Sequence, residues 1–153
     1  MESQVTDRPV YVRCGSCGTV NSLPASRLVE HPKCGKCKNL IEIPKKPVDI
    51  TTADFDREAL AWPGIVLVEF WTPWCGFCRI MAPVVEKLAA EKAGLLKVVK
   101  VNLDNEPLLG ARFGINATPT FYVYRKGSRI GDISGAVPKE QFEAWIESIL
   151  RTL

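Results

Sequence analysis

The sequence predicts an α/β fold, a small mixed sheet with helices on both faces, preceded by a small N-terminal module built around a metal ion. Three observations carry this. An apolar run, "IVLVEFW" from Ile65 to Trp71, leads at once into a helical pattern and then into a second strand-like run over 95–103, the order of a parallel crossover unit. The stretch 120–134, "TFYVYRKGSRIGDIS", reads as two strands around a turn at Lys126 and Gly127. Four of the six cysteines fall in two Cys-x-x-Cys pairs within the first 46 residues.

The elements follow in chain order. Residues 1–46 hold few aromatics and short apolar runs, too little to bury a self-sufficient core, so something else must stabilise them. "IPKKPVDI", 43–50, has two prolines flanking two lysines and reads as a linker, which divides the chain into an N-terminal module with its linker (1–46) and a second domain (47–153). "TTADFDREALAW" offers Thr51 and Thr52 as N-caps of a short helix. "IVLVEFW" is apolar on both faces, the signature of a central strand covered on both sides. From Cys75 to Lys92, the residues Ile80, Met81, Val84, Val85 and Leu88 recur at helical spacing, with Pro83 inside the pattern and Gly94 just past it. "LLKVVKVNL" is the next strand, with Val99, Val101 and Leu103 on one face. "NEPLLGARFG" offers Asn105 as an N-cap, Pro107 in the first turn and Gly114 as a stop. After the hairpin, a last helix from Pro138 to Leu150 presents Phe142, Trp145, Ile146 and Ile149 as one stripe.

Composition excludes several classes. With 46% apolar and 24% charged residues the chain is that of a globular protein without a disorder signature. No run approaches the roughly 20 apolar residues of a membrane span, and "MESQVTDRPV" lacks a basic region followed by an apolar one, so a cytoplasmic protein without membrane contact is expected. In that reducing setting six cysteines point to metal binding or redox catalysis rather than to three structural disulfides. Residues 1–46 carry eight Lys/Arg against four Asp/Glu, +4, and 47–153 carry twelve against thirteen, −1. Four thiolates around one Zn²⁺ bring −2 and reduce that basic surplus, and a nucleic-acid partner is not expected.

Cys14, Cys17, Cys34 and Cys37 follow the spacing C-x₂-C-x₁₆-C-x₂-C of a four-cysteine zinc site. Four protein ligands close the tetrahedron and leave no position for substrate, so one structural Zn²⁺ is expected, and its binding supplies the folding free energy a 46-residue piece lacks. Glycines inside each pair are expected to let backbone amides approach the sulfurs, and His31 reads as a loop residue.

Cys75 and Cys78 have another setting. They follow a buried strand and open a helix, where unpaired N–H groups and the helix dipole favour a thiolate. Cys75, at the helix start, is expected to be exposed and nucleophilic, and Cys78, one turn inside, shielded and resolving. No Cys or His follows in 79–153 to complete a second metal site. Glu69 is the one charged residue in its strand; a desolvated carboxyl with a raised pKa six residues before the nucleophile is a candidate proton carrier. Lys100, on the neighbouring strand, is placed to modulate it.

"VEFWTPWCGFCRIMAP", "KVNLD", "ARFGI", "TPTF" and "GAVPK" together resemble thioredoxin, and the four-cysteine module before them resembles the zinc ribbon of the thioredoxin 2 subfamily. The resemblance covers about 48–152 and 10–43, and implies a thioredoxin-like mixed sheet behind a small N-terminal zinc ribbon. It implies that Cys75 attacks, that Cys78 resolves, and that Glu69 stands where the family has a buried aspartate taking the Cys78 proton, with Lys100 beside it. Trp71 and Trp74 match the family's two tryptophans; Pro119 matches its cis-proline, which lets Thr118 pair with an extended substrate, and Gly135 and Ala136 match the loop lining the same groove. Trp74, Gly76, Phe77, Thr118, Pro119, Gly135 and Ala136 form the implied substrate surface. The implied partners are protein disulfides and an NADPH-dependent thioredoxin reductase, and a monomer is expected. Two departures stand out: Gly76-Phe77 replaces the family's usual Gly-Pro between the cysteines, and glutamate replaces aspartate at position 69. The function expected is reduction of protein disulfides; a more oxidising isomerase or oxidant, tilted by Phe77, and a zinc-regulated redox-sensing adaptor are the alternatives.

Overall fold

The computed structural model describes residues 8–152; the opening "MESQVTD" of the segment assigned to the N-terminal module lies outside the described residues. Two strands, β1 (Pro9–Arg13) and β2 (Val20–Pro24), pair antiparallel and lead into a 3₁₀ turn at Ala25–Glu30. A five-stranded sheet follows, made of β3 (Val48–Asp49), β4 (Ile65–Trp71), β5 (Lys97–Asn102), β6 (Thr120–Arg125) and β7 (Ser128–Ser134). Its order is β3-β5-β4-β6-β7, parallel from β3 to β4 and antiparallel from β4 to β7. The helices are α1 (Gly76–Glu91), α2 (Pro107–Phe113) and α3 (Lys139–Arg151).

Alternation along β4 sorts its side chains to two cores. Val66, Val68 and Phe70 join Phe55, Trp62, Tyr122 and Leu109 of α2 on one face. Leu67 joins Met81, Val85 and Leu88 of α1 and Phe142 and Ile146 of α3 on the other. Helices therefore cover both faces, as the apolar texture of β4 implies. The β6–β7 turn has positive φ at Lys126 (50°) and Gly127 (81°), the twist that matches two right-handed strands, and β7 carries a bulge opposite Val123 and Tyr124.

The structure corrects five sequence expectations. The segment read as a linker contributes at both ends: Ile43 packs on the N-terminal core, Val48 and Asp49 form edge strand β3, and Ile50 enters the main core. Thr51 and Thr52 do not cap a regular helix. A turn precedes a short π-helical segment at Asp56–Leu60 headed by Phe55, which is fully buried, while the Thr52 N–H and hydroxyl both donate to Glu106 at 2.7 and 3.0 Å. Glu106, not Asn105, stands at the N-cap of α2, its carboxylate committed to Thr52. Gly114 stops that helix with φ 64°, as expected. Ile80 belongs to no core: it is 64% exposed, because the buried face of α1 runs through Cys78, Met81, Val85 and Leu88. The glycines inside the N-terminal pairs are not sterically required, since a Cβ at Gly15 meets nothing within 4 Å and one at Gly35 only ordinary contact; positive φ falls one residue after each pair, at Gly18 (81°) and Lys38 (67°).

The N-terminal module sits on the base of the sheet. Arg13 pairs with Glu58 at 2.8 Å and lies over Trp62, Glu58 also receives Lys97 at 2.5 Å, and Arg8 donates to the Leu150 carbonyl. Among the described residues, no helix is long and apolar enough to cross a membrane.

Candidate active site and metal centre

β4 ends at Trp71, and Cys75 becomes the N-cap of α1 four residues later. Its extended backbone (φ −86°, ψ 113°) places Sγ to accept from the Cys78 N–H at 3.1 Å, one of the amides a helix start leaves unpaired. The Cys75 thiol also reaches the Thr118 carbonyl at 3.4 Å, next to the cis Thr118–Pro119 bond, and the Gly135 N–H donates to the Pro119 carbonyl at 2.7 Å. The helix start, the cis-proline segment and the 135–136 loop therefore meet at one point.

Exposure does not distinguish the two cysteines as expected. Cys75 is 6% exposed and Cys78 5%, because Thr118 and its neighbours cover the first as the helix covers the second. Electrostatics does distinguish them. Burial pushes the Cys75 thiol up, but the Cys78 thiol, Thr118 and the backbone N–H groups of Cys78 and Phe77 outweigh it, and its pKa lies below the ordinary value. Burial, together with the neighbouring Cys75 sulfur, pushes Cys78 up to about 11. Both thiols are free, the dithiol form.

Glu69 follows Leu67 by two residues on β4 and so faces α1. It is 1% exposed, and burial raises its pKa to about 7 against the opposing pull of Lys100. Lys100 is its register partner on β5 and lies over the Trp71 ring at 4.3 Å. A cavity of about 80 Å³ joins Glu69, Trp71, Thr72, Cys78 and Lys100, and the buried Glu69 Oε1, Trp71 Nε1 and Thr72 Oγ1 have no protein partner there. A polar space of that size accommodates water. Thr72 was not legible as part of this site, since nothing in its spacing marks it.

Around Cys75 the surface is apolar. Trp74 is 71% exposed and Phe77 61%, with Ile80 one turn beyond Phe77. The Trp74 indole donates to the Asp104 carboxylate at 3.2 Å, an anchor that sequence spacing does not reveal. Gly76 and Ala136 are exposed and Gly135 partly so.

The four N-terminal cysteines converge. Their sulfurs all lie within 4.8 Å of one another, with Cys14–Cys37 and Cys17–Cys34 at 3.6 Å. Ligands about 2.3 Å from one tetrahedral Zn²⁺ stand roughly 3.8 Å apart, so the cluster fits that ion. The Ser16 and Lys36 N–H groups donate to Cys14 and Cys34 at 3.4 Å, and Asn21 reaches Cys34 at 3.5 Å. The backbone N–H of Cys37, with Asn21, holds the Cys34 thiol down at about 6. His31, exposed and in a left-handed conformation (φ 51°), is not part of the cluster.

Comparison with known proteins agrees with this geometry. Residues 46–148 match the family model described as Thioredoxin, and 13–39 match that described as Thioredoxin 2, N-terminal. Thioredoxin C-3 of Corynebacterium nephridii is 29% identical over 142 residues, 93% of this chain and 97% of that protein. Thioredoxin of Porphyra purpurea is 40% identical over 101 residues, 66% of this chain and 94% of that protein, and Thioredoxin 1 of Synechococcus elongatus is 44% identical over 90 residues, 59% and 84%. The Cys75–Cys78 dithiol occupies the active-site position of a thiol-disulfide oxidoreductase, and the chain belongs to the thioredoxin family.

Proposed function

We propose that this chain reduces disulfides of other proteins as a cytoplasmic monomer, with residues 47–153 carrying the chemistry and 1–46 forming a zinc ribbon and linker. The observation that carries the reading is the Cys75 sulfur held at 3.1 Å from the Cys78 N–H, beside the cis-proline segment. A substrate strand docks against Thr118, Pro119, Gly135 and Ala136, over the surface of Trp74, Gly76, Phe77 and Ile80. The Cys75 thiolate attacks one substrate sulfur, a mixed disulfide forms, and the other substrate sulfur leaves as a thiolate. Glu69, with Lys100 beside it, takes the Cys78 proton through the shared cavity, which offsets the resistance of a thiol raised to about 11. The Cys78 thiolate then attacks the Cys75 sulfur of the mixed disulfide and displaces the substrate sulfur bound there, leaving Cys75–Cys78 oxidised and two electrons on the substrate. An NADPH-dependent thioredoxin reductase restores the dithiol. Cys14, Cys17, Cys34 and Cys37 hold one structural Zn²⁺.

Phe77 gives the pair a direction. Its N–H helps lower Cys75, and a proline in the same place has no N–H. Stabilising the thiolate stabilises the dithiol and makes the couple more oxidising than a Gly-Pro pair on the same scaffold.

Cys75→Ser abolishes reduction of insulin disulfides, while Cys78→Ser accumulates mixed disulfides on non-reducing gels; an active Cys75→Ser enzyme refutes the assignment of the nucleophile. Phe77→Pro shifts the glutathione-equilibrated potential to more negative values; no shift, or a positive one, removes the role given to the Phe77 N–H. Glu69→Gln slows turnover by about 10²-fold near neutral pH. It also changes stability with pH. The folded pKa of about 7 exceeds the ordinary 4.5, so the native state keeps a proton that the unfolded chain releases, and wild-type stability falls as pH rises from about 4.5 to 7. At pH 8 the Gln variant should be more stable by about 3 kcal/mol at most, and at pH 4 nearly equal, measured by urea unfolding. Chelation should release one zinc per chain and abolish amide protection in β1 and β2 while β4 and β6 keep theirs, read by hydrogen exchange.

A further inference from the structure

We propose that the groove between β1 and the base of the five-stranded sheet binds an extended, acidic segment of a partner protein as a third strand of the N-terminal sheet. The groove encloses about 590 Å³, and residues 8–13 line it without a break, so an edge of β1 forms one wall. Which main-chain groups face it follows from the ladder. The Ala25 N–H donates to the Arg8 carbonyl at 2.9 Å and the Cys14 N–H to the Thr19 carbonyl at 2.8 Å, and antiparallel pairs alternate. Val10 and Val12 thus turn their main-chain groups to β2, while Tyr11 and Arg13 turn theirs to the groove. Among the described residues, neither of these has a main-chain partner on that side. An unpaired strand edge is a template for another strand.

Composition of the other walls selects the occupant. Trp62, Pro63, Leu96 and Val98 supply an apolar surface. The two acids in the lining are already paired, Glu58 with Arg13 and Lys97 and Glu147 with Lys92. Lys46, Arg125, Lys126 and Arg151 also line the groove, and among the described residues none has a carboxylate within ion-pair distance. The groove therefore carries uncompensated positive charge, complementary to an acidic ligand. A free carboxylate accepts hydrogen bonds but donates none, and so leaves the Tyr11 and Arg13 carbonyls unmet. A peptide strand supplies donors and acceptors together, and five residues span about 17 Å, the length of β1. Alternating side chains then place apolar groups on the Trp62 wall and acidic groups among the free cations. β4 enters the groove at Ile65 and ends at Trp71, about 20 Å along the strand, so an occupant leaves Cys75 open. The site holds a partner while the dithiol at the far end of the sheet stays available.

The test uses the full-length, zinc-loaded protein and a synthetic heptapeptide of alternating glutamate and valine, acetylated and amidated at its ends. Saturable amide shifts at Tyr11, Arg13 and Trp62, slowed exchange of the Tyr11 and Arg13 amides, and unchanged insulin reduction are expected. Lys46→Glu with Arg125→Glu should weaken binding at least tenfold. Of two peptides N-methylated at alternate positions, one series should fail to bind and the other should bind as the parent does. Equal binding of both series, equal binding of a glutamine–valine peptide, shifts produced by laurate but not by the peptide, or slow exchange of the Tyr11 amide in the free protein would each overturn the proposal.

Discussion

Most of this structure serves one contact, the Cys78 N–H against the Cys75 sulfur. For that amide to be unpaired, a helix must begin at residue 76, and for its donor to be aimed, the preceding residue must be extended. Both conditions follow from where β4 stops. A strand buried on both faces, hydrogen-bonded to β5 and β6, cannot shift its register without moving Leu67 and Phe70 out of two different cores. The position of Cys75 is therefore set by packing spread over the whole sheet. The same rigidity brings Thr118, from the segment before β6, to the sulfur, because β6 is the other neighbour of β4.

Glu69 is the element that works against stability. A carboxyl with 1% exposure and no hydrogen-bond partner on Oε1 is a poor choice for a central strand. Alternation on β4 leaves one position facing α1 between Leu67 and Trp71, and that position borders the cavity of Cys78. A group raised to about 7 is half ionised near neutrality, matched to taking a proton and giving it back. Lys100 pulls against the burial of Glu69 and, among the described residues, forms no ion pair with it, so the carboxyl stays titratable. Local rules fail at this residue, and the failure leaves a titratable carboxyl bordering the Cys78 cavity, as the proposed function requires.

What the sequence reveals, and what it hides, divides by range. β4, the hairpin and the four-cysteine spacing depend on neighbours a few residues apart, and each is readable. The isolated acid in "IVLVEF" was legible for the same reason: period-2 logic assigns it to a buried face. The rest depends on distant partners. Glu106 caps α2 without using its side chain because Thr52, 54 residues earlier, takes it. Val48 and Asp49 become a strand only because β5 offers an edge. Cys75 is covered by a segment 43 residues away, so no local pattern could report its burial. The basic surplus of the first 46 residues was plain, but the groove that gathers part of it with Arg125, Lys126 and Arg151 exists only once the module is seated on the sheet.

The two thiols are unequal because the Cys78 thiol, Thr118 and the amides of the helix start together hold Cys75 down, while burial raises Cys78. The most direct measurement of this inequality is the pH dependence of iodoacetamide alkylation of the reduced protein, with the modified residue identified by mass spectrometry. Cys75 is expected to be alkylated first, with a half-maximal rate below the ordinary thiol value of 9.0, while Cys78 reacts only at much higher pH. Alkylation of Cys78 first, or a half-maximal rate for Cys75 at or above pH 9.0, would contradict it.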